Sequence, residues 1–336
     1  MFNRILVPLD GSPLAERAIP HAELFARVFG GSIFLLQVLE PTSYYENPRA
    51  VDPLRWQIHK AEANVYLKGI AQRIRENLGE EEKRCQVEYA IREGKAAENI
   101  IDFALSEDID LLIISTHGSG GLSRWNISSV TQKVINMIYL PVLIVRAYSP
   151  AEKDDKLLNY HRILLPTDSS RRSEVSISAG IELARGERSA SNKKDENIEK
   201  SKLFLTAVIQ PPELPIPDPL PVEIKKISEK LFEITRQAVQ KYLNEMKERL
   251  PVDCEIYVVE STSVTSAIQE LTEKEDIDLV ILSAHGYSGQ VNWPYGSVTR
   301  NYIDYGVRSV LVIQDVPRSQ VRQTDAEIAA EKSGRR

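Results

Sequence analysis

A chain of 336 residues, 42% hydrophobic and 27% charged, can bury one large core or two ordinary ones, and its length leans toward two domains. Its 42 Lys and Arg against 48 Asp and Glu leave a formal charge of −6 and no basic stripe, which sets nucleic acid aside as a partner. Two distant cysteines, no long unbroken apolar run and no basic segment leading into one argue against a disulfide framework, a zinc site, a membrane span or a signal peptide, and fit a cytoplasmic protein.

Residues 5–9 are a continuous apolar run of buried-strand type, and Ser12 followed by Pro13 reads as a helix N-cap and first helical residue. Ala15, Ala18, Ile19, Ala22, Ala26 and Phe29 then keep helical spacing until Gly30 and Gly31, which predicts one helix over 13–29. A second strand over 33–39 precedes a long helix with Leu67, Ile70, Ala71, Ile74 and Leu78 on one face, stopped by Gly79. Cys85, Val87, Tyr89 and Ile91 alternate as a third strand, followed by a helix over 97–105 and a strand over 111–114. Val130, Val134, Ile135 and Ile138 mark a last helix before the strand 142–145. Strands separated by helices require parallel pairing, with helices on both faces of the sheet.

The same order then begins again. Residues 4–10, Arg-Ile-Leu-Val-Pro-Leu-Asp, are answered by 162–168, Arg-Ile-Leu-Leu-Pro-Thr-Asp. Further on, Thr116-His117-Gly118 is answered by Ala284-His285-Gly286, Trp125 by Trp293, and Ser129-Val130-Thr131 by Ser297-Val298-Thr299. The spacing between copies lengthens partway because the second carries an extra charged segment within 187–200, expected to be a mobile loop. The layout is therefore a first domain over 1–147, a linker over 148–159, a second domain over 160–316 and a polar tail over 317–336.

Open parallel sheets bind ligands beyond the carboxyl ends of their strands, where strand order reverses. In the first copy those ends are Pro8-Leu9-Asp10 and the segment from Ser115 to Gly118, after which a Gly- and Ser-rich loop leads to a helix opening near Ser128, Ser129, Val130 and Thr131. Backbone N–H groups at such a helix start suit phosphate oxygens.

These residues carry a resemblance. Ser283, Gly286, Gly296 and Ser297, and in the first copy Ser115, Gly118, Ser128 and Ser129, fall on the pattern G-2x-G-9x-G-(S/T) of the universal stress proteins. With the opening Ile-Leu-Val-Pro-x-Asp-x-Ser, the chain resembles a tandem member of that UspA family. The resemblance implies an α/β fold of two tandem Rossmann-like domains of the adenine nucleotide alpha hydrolase type, each with a five-stranded parallel sheet. It implies ATP, or ADP or AMP, with or without Mg²⁺. Asp10 and Asp168 would contact the adenosine, with Val38 and Val208 beside the adenine and Pro8 and Pro166 at the ends of the first strands. Gly118, Ser129, Val130 and Thr131, or Gly286, Ser297, Val298 and Thr299, would hold the phosphates. The implied role is regulatory, in a stress response, with little or no turnover. Assembly as a homodimer or with a partner protein stays open.

Two departures stand out. Serine replaces the first motif glycine in both copies, and the third is Ser128 in the first copy. If that third position needs positive φ, serine there costs roughly 1–3 kcal/mol, so the second site, which keeps Gly296, is expected to be the stronger. No G-x-x-x-x-G-K-(S/T) loop occurs, and Leu9-Asp10-Gly11-Ser12 lacks the Ser-Gly-Gly-x-Asp-Ser of ATP pyrophosphatases. His117 and His285 have no nucleophile placed beside them by the sequence and read as hydrogen-bonding loop residues, so no residue is assigned a catalytic or metal-binding role. The alternatives are a nucleotide-free scaffold or dimerisation module that takes a protein or an apolar ligand and, behind it, a nucleotide-dependent enzyme.

Overall fold

The computed structural model describes residues 1–40, 53–79, 85–118, 127–147, 158–190, 201–212, 221–287 and 294–316. The chain forms two compact units, with main bodies Met1–Asn159 and Tyr160–Gly289 together with Gly296–Asp315.

The first unit runs β1 (Arg4–Leu9), α1 (Pro13–Glu16), α2 (Ala18–Phe29), β2 (Ser32–Leu39), α3 (Pro53–Leu78), β3 (Val87–Glu93), α4 (Ala96–Ser106), β4 (Leu111–Ser115), α5 (Ser129–Met137) and β5 (Val142–Val145). Its strands lie in the order β3-β2-β1-β4-β5, with parallel pairing throughout. The second unit repeats this with β6 (Arg162–Pro166), α6 (Val175–Ala190), β7 (Lys202–Ile209), α7 (Val222–Arg249), β8 (Cys254–Glu260), α8 (Val264–Lys274), β9 (Leu279–Ser283), α9 (Ser297–Tyr305) and β10 (Ser309–Ile313). The order there is β8-β7-β6-β9-β10, again parallel. Central strands are covered on both faces, which is why β4 and β9 are buried at every residue and read as unbroken apolar runs.

Matched contacts fix the two frames in the same way. Asp110 accepts from the N–H groups of Asn3 and Arg4 at 2.9 and 3.0 Å, and Asp278 accepts from those of His161 and Arg162 at 2.8 Å each. Arg4 reaches the Glu107 carbonyl and carboxylate while its guanidinium lies 4.3 Å from the Phe34 ring centroid; Arg162 does the same with Glu275 and Phe204. Tyr66 on α3 donates to Glu16 at 3.1 Å, as Tyr242 on α7 does to Glu174 at 2.9 Å. These contacts seat the first strand and the long helix of each unit.

The single helix expected over 13–29 is two, because Pro20 has no N–H for the Glu16 carbonyl and the chain turns at Arg17 before α2 starts. The third strand begins two residues later than the alternation from Cys85 suggests; Cys85 is buried just before it, its thiol donating to the Ala26 carbonyl. Helix α6 runs to Ala190, through the first residues of the loop expected at 187–200. The remainder of that loop, the linker residues 148–157, the tail 317–336 and both Trp125 and Trp293 lie outside the described residues. Among the described residues, no helix is long and apolar enough to cross a membrane.

The copies differ in backbone strain just after their first strands. Gly11 has φ +81° in the first, and its counterpart Ser169 has φ +64° in the second. A side chain in the left-handed region costs roughly 1–2 kcal/mol. Ser169→Gly is therefore expected to stabilise the protein by about 1 kcal/mol, less the entropy glycine adds to the unfolded chain, and Gly11→Ser to destabilise it by a similar amount. Chemical denaturation of both variants checks this; an unchanged or lowered midpoint for Ser169→Gly would contradict it.

Candidate functional site

The ladder between β1 and β4 covers Ile5 with Leu111 and Leu6 with Leu112, whereas β1 pairs with β2 from Arg4 to Leu9. The carboxyl ends of β1 and β4 are thus not laddered to each other, and the crevice expected at the reversal of strand order opens there.

A cleft of about 500 Å³ occupies it. Every first-copy candidate lines it: Pro8, Asp10, Val38, Ser115, Gly118, Ser128, Ser129, Val130 and Thr131. The structure therefore brings together residues from the ends of β1, β2 and β4 and the start of α5, which stand far apart in sequence.

Local chemistry explains how each is held. Asp10 Oδ1 accepts from the Ser12 N–H at 3.0 Å, and its Oδ2 lies where a Cβ on Gly118 would come within 2.1 Å. The Asp168 carboxylate crowds Gly286 in the same way, at 2.4 Å, and accepts from Ser170 N at 3.0 Å and Tyr287 N at 2.5 Å. At the second motif glycine a larger residue would thus have to displace the aspartate carboxylate. Burial works against the charge on Asp168, but hydrogen bonds from Ser170, the Tyr287 N–H and Ser173 outweigh it and hold the carboxyl below its usual range. Its contribution to stability is complete above the ordinary aspartate pKa and is lost as pH falls through the lowered folded value.

The start of α5 is tied to the end of β4. Ser128 N donates to the Thr116 carbonyl at 2.8 Å, and Thr131 Oγ1 donates to the Ser115 carbonyl at 3.0 Å. In the second unit, Gly296 N donates to the Ala284 carbonyl at 2.8 Å and Thr299 Oγ1 to the Ser283 carbonyl at 2.7 Å. The two threonine hydroxyls thus direct their protons to main chain, anchoring the helix start. Ser297 and Val298 occupy the first turn of α9, Pro166 ends β6, and Val208 is the penultimate residue of β7.

The backbone strain that would have weakened the first site is absent from Ser128. Ser128 has φ −56° and Gly296 has φ −71°, so neither position needs glycine. Ser128 is the N-cap of α5, its hydroxyl accepting from Thr131 N at 3.2 Å, and a Cβ on Gly296 would make ordinary contact at 3.5 Å with the Ala284 carbonyl. The left-handed strain sits instead at Ser169, in the second copy.

Several lining residues escaped the sequence reading. Gln37, Glu40, Trp56, His59, Ala96 and Ile100 also face the cleft, as does His117, which the sequence marked only as a hydrogen-bonding loop residue. Trp56 had a visible signal, as the one tryptophan of three without a counterpart in the repeat. The histidines diverge as well. His117 Nδ1 lies 2.9 Å from Thr116 Oγ1, which also accepts from Ala147 N at 3.1 Å. In the second unit alanine stands in place of that threonine and aspartate in place of Ala147: Ala284 precedes His285, whose Nδ1 lies 2.7 Å from Asp315 Oδ1, with both side chains 0% exposed. Arg172 approaches the other Asp315 oxygen at 3.0 Å.

The sequence matches the family model described as "Universal stress protein family" over residues 1–146 and again over 159–314. A universal stress protein of Mycolicibacterium smegmatis is 23% identical over 313 residues, covering 92% of this chain and 96% of its own. One of Methanocaldococcus jannaschii is 27% identical over 147 residues, covering 44% of this chain and 83% of its own. Among solved structures, a functionally unknown protein from Pseudomonas aeruginosa PAO1 has a TM-score of 0.63 at 16% identity, covering 98% of both chains. A universal stress protein from Archaeoglobus fulgidus has 0.58 at 16% identity, covering 93% of this chain and 96% of its own. These structural likenesses speak to the fold.

Two substitutions test the geometry. Gly118→Ala is expected to displace the Asp10 carboxylate, so its destabilisation should largely vanish in an Asp10→Ala background, with a coupling on the order of 1 kcal/mol in a double-mutant cycle. Gly296→Ser, which installs the cap that Ser128 provides in the first copy, should be neutral or stabilising by a few tenths of a kcal/mol. Additive energies in the cycle, or a marked loss for Gly296→Ser, would count against these readings.

Proposed function

The chain belongs to the universal stress protein family in both of its halves, and from that premise we propose that the cleft of the first unit binds an adenine nucleotide as a regulatory ligand, with little or no turnover. One observation carries the reading: residues chosen from separate sequence segments for separate parts of a nucleotide all line a single cleft of about 500 Å³. That volume is of the size small-molecule sites have.

The chemistry along the cleft is graded in a way that suits ATP, ADP or AMP. Leu36, Val38, Leu39, Ala96 and Ile100 offer apolar surface for a base. Asp10 supplies a carboxylate to accept from ribose hydroxyls, the use acidic groups find in other parallel-sheet nucleotide sites. At the other side the first-turn N–H groups of Ser129 and Val130 lack intrahelical carbonyl partners and carry the positive end of the α5 dipole, which favours phosphate oxygens. Among the described residues no group of three His, Cys, Asp or Glu is placed to hold a metal; Mg²⁺ accompanying the nucleotide would be held chiefly by phosphate and water, as is common for that ion.

The described lining of the cleft favours slow or absent turnover. Hydrolysis needs a base or a water-positioning group near the terminal phosphate and a cation to take up its charge. Among the described lining residues there is no lysine or arginine, and the Nδ1 of His117 faces the Thr116 hydroxyl. A second role, as a surface for a homodimer or a partner protein, is compatible with the first. Helix α7 favours it, exposing Ile227, Leu231 and Ile234 by 68%, 53% and 54% at alternating spacings of four and three residues.

Calorimetric titration with ATP is expected to show binding that Asp10→Ala weakens by about tenfold, the scale of one charge-assisted hydrogen bond. Steady-state hydrolysis should stay well below about 1 s⁻¹, the lower end of kinase rates. Wild-type protein that binds no adenine nucleotide would overturn the binding reading, and faster hydrolysis abolished by Asp10→Ala would overturn the non-catalytic one.

A further inference from the structure

Helix α3 contributes Trp56 and His59 to the wall of the first cleft. Trp56 lines the cleft together with Val38, Ala96 and Ile100. Its indole N–H donates to Glu93 Oε2 at 3.0 Å, and the other Glu93 oxygen pairs with Lys60 Nζ at 2.5 Å. Lys60 Nζ also stands 5.8 Å from the indole ring. Glu93 is the last residue of β3, so a side chain on the long helix is tethered to the sheet edge. An indole has one polar group, a donor. With that donor engaged by Glu93, what Trp56 offers the cleft is apolar ring surface.

The second copy lacks this device. Tyr66 and Tyr242 make the same bond to Glu16 and Glu174, which aligns α3 with α7 and sets Phe232 at the position of Trp56. Phenylalanine has no N–H to tether. Arg236, in the place of Lys60, pairs with Glu233 on its own helix at 3.0 Å. The tethered aromatic is therefore a feature of the first copy, beyond the motif residues that both copies share.

We propose that Trp56 is the platform on which the base of the ligand stacks, so that the first site takes phosphates carrying an aromatic base and discriminates against base-free polyphosphates. This rests on the reading of the cleft as a nucleotide site. The tethered ring lines the cleft with apolar neighbours against which a flat π-system can lie, and stacking of a base on an aromatic side chain changes affinity by roughly 5- to 150-fold on truncation.

Replacing Trp125 and Trp293 by Phe leaves Trp56 as the one tryptophan of the three. In that protein ATP should quench the emission, with a midpoint matching the calorimetric Kd, and tripolyphosphate should not. In calorimetry, Trp56→Ala should weaken ATP binding by about tenfold or more, with Trp56→Phe restoring most of it. If wild-type protein binds ATP while Trp56→Ala binds it equally well, or the emission of Trp56 ignores ATP or responds equally to tripolyphosphate, the platform role falls and the nucleotide reading stands. If wild-type protein binds no ATP, both fall. Should Trp56→Ala fail to fold, the emission of the folded single-tryptophan protein decides.

Discussion

The carboxylate that follows the first strand fills the space a Cβ would take on a glycine beyond the fourth, Asp10 at Gly118 and Asp168 at Gly286, and this close approach brings the two strand ends of each candidate site together. Below it, Asp110 and Asp278 gather the N–H groups at the start of β1 and β6. Each pair of strands is thus joined at its start by ladder and clamp, and at its end by a side chain reaching across an unladdered gap. A parallel sheet whose order reverses must leave such a gap, because consecutive crossovers depart in opposite directions. The carboxylate spans it and leaves an anionic, hydrogen-bonding group at the mouth.

Two copies of one frame in one chain act as an internal control on which contacts matter. The bonds tying the fourth strand to the following helix recur atom for atom, from Thr131 and Thr299 hydroxyls and from the amides of Ser128 and Gly296. What varies is chemistry that the backbone tolerates: a serine cap or a glycine at ordinary φ, and a histidine partnered by a threonine hydroxyl or by a buried aspartate. The His285, Asp315 and Arg172 grouping places charge in a buried setting, where losing one partner is expensive while the intact set contributes little net stability. The units have kept a scaffold while the surroundings of their sites diverged.

The long helices show the same pattern. Their C-terminal halves pack on the sheet through Leu67, Ile70 and Ile74 in one unit and Leu243 and Met246 in the other. Their N-terminal halves bury little, which leaves them free to carry side chains for other purposes: Trp56 at a cleft in the first unit, an apolar stripe open to solvent in the second. A helix held firmly at one end and lightly at the other can change its exposed residues at small cost to the core.

Much of this was legible in the amino-acid sequence. Parallel strands buried on both faces must be continuous apolar runs, and crossovers must be amphipathic helices, so the alternation of Ile5-Leu6-Val7 type runs with helical spacing determined the fold, and its recurrence determined that there are two units. The gathering of Asp10, Gly118 and Ser128 to Thr131 followed from the rule for strand ends. Tertiary structure alone decided the rest. Whether Ser128 is strained depends on a φ angle set by the Thr116 carbonyl and the capping bond, which composition does not encode. Which residue of α3 meets the cleft depends on how the helix lies across the sheet, and that is fixed by contacts between elements distant in sequence, among them Tyr66 with Glu16 and Trp56 with Glu93. Local sequence sets period and propensity; the direction in which a half-buried helix points a given side chain is set by what it packs against.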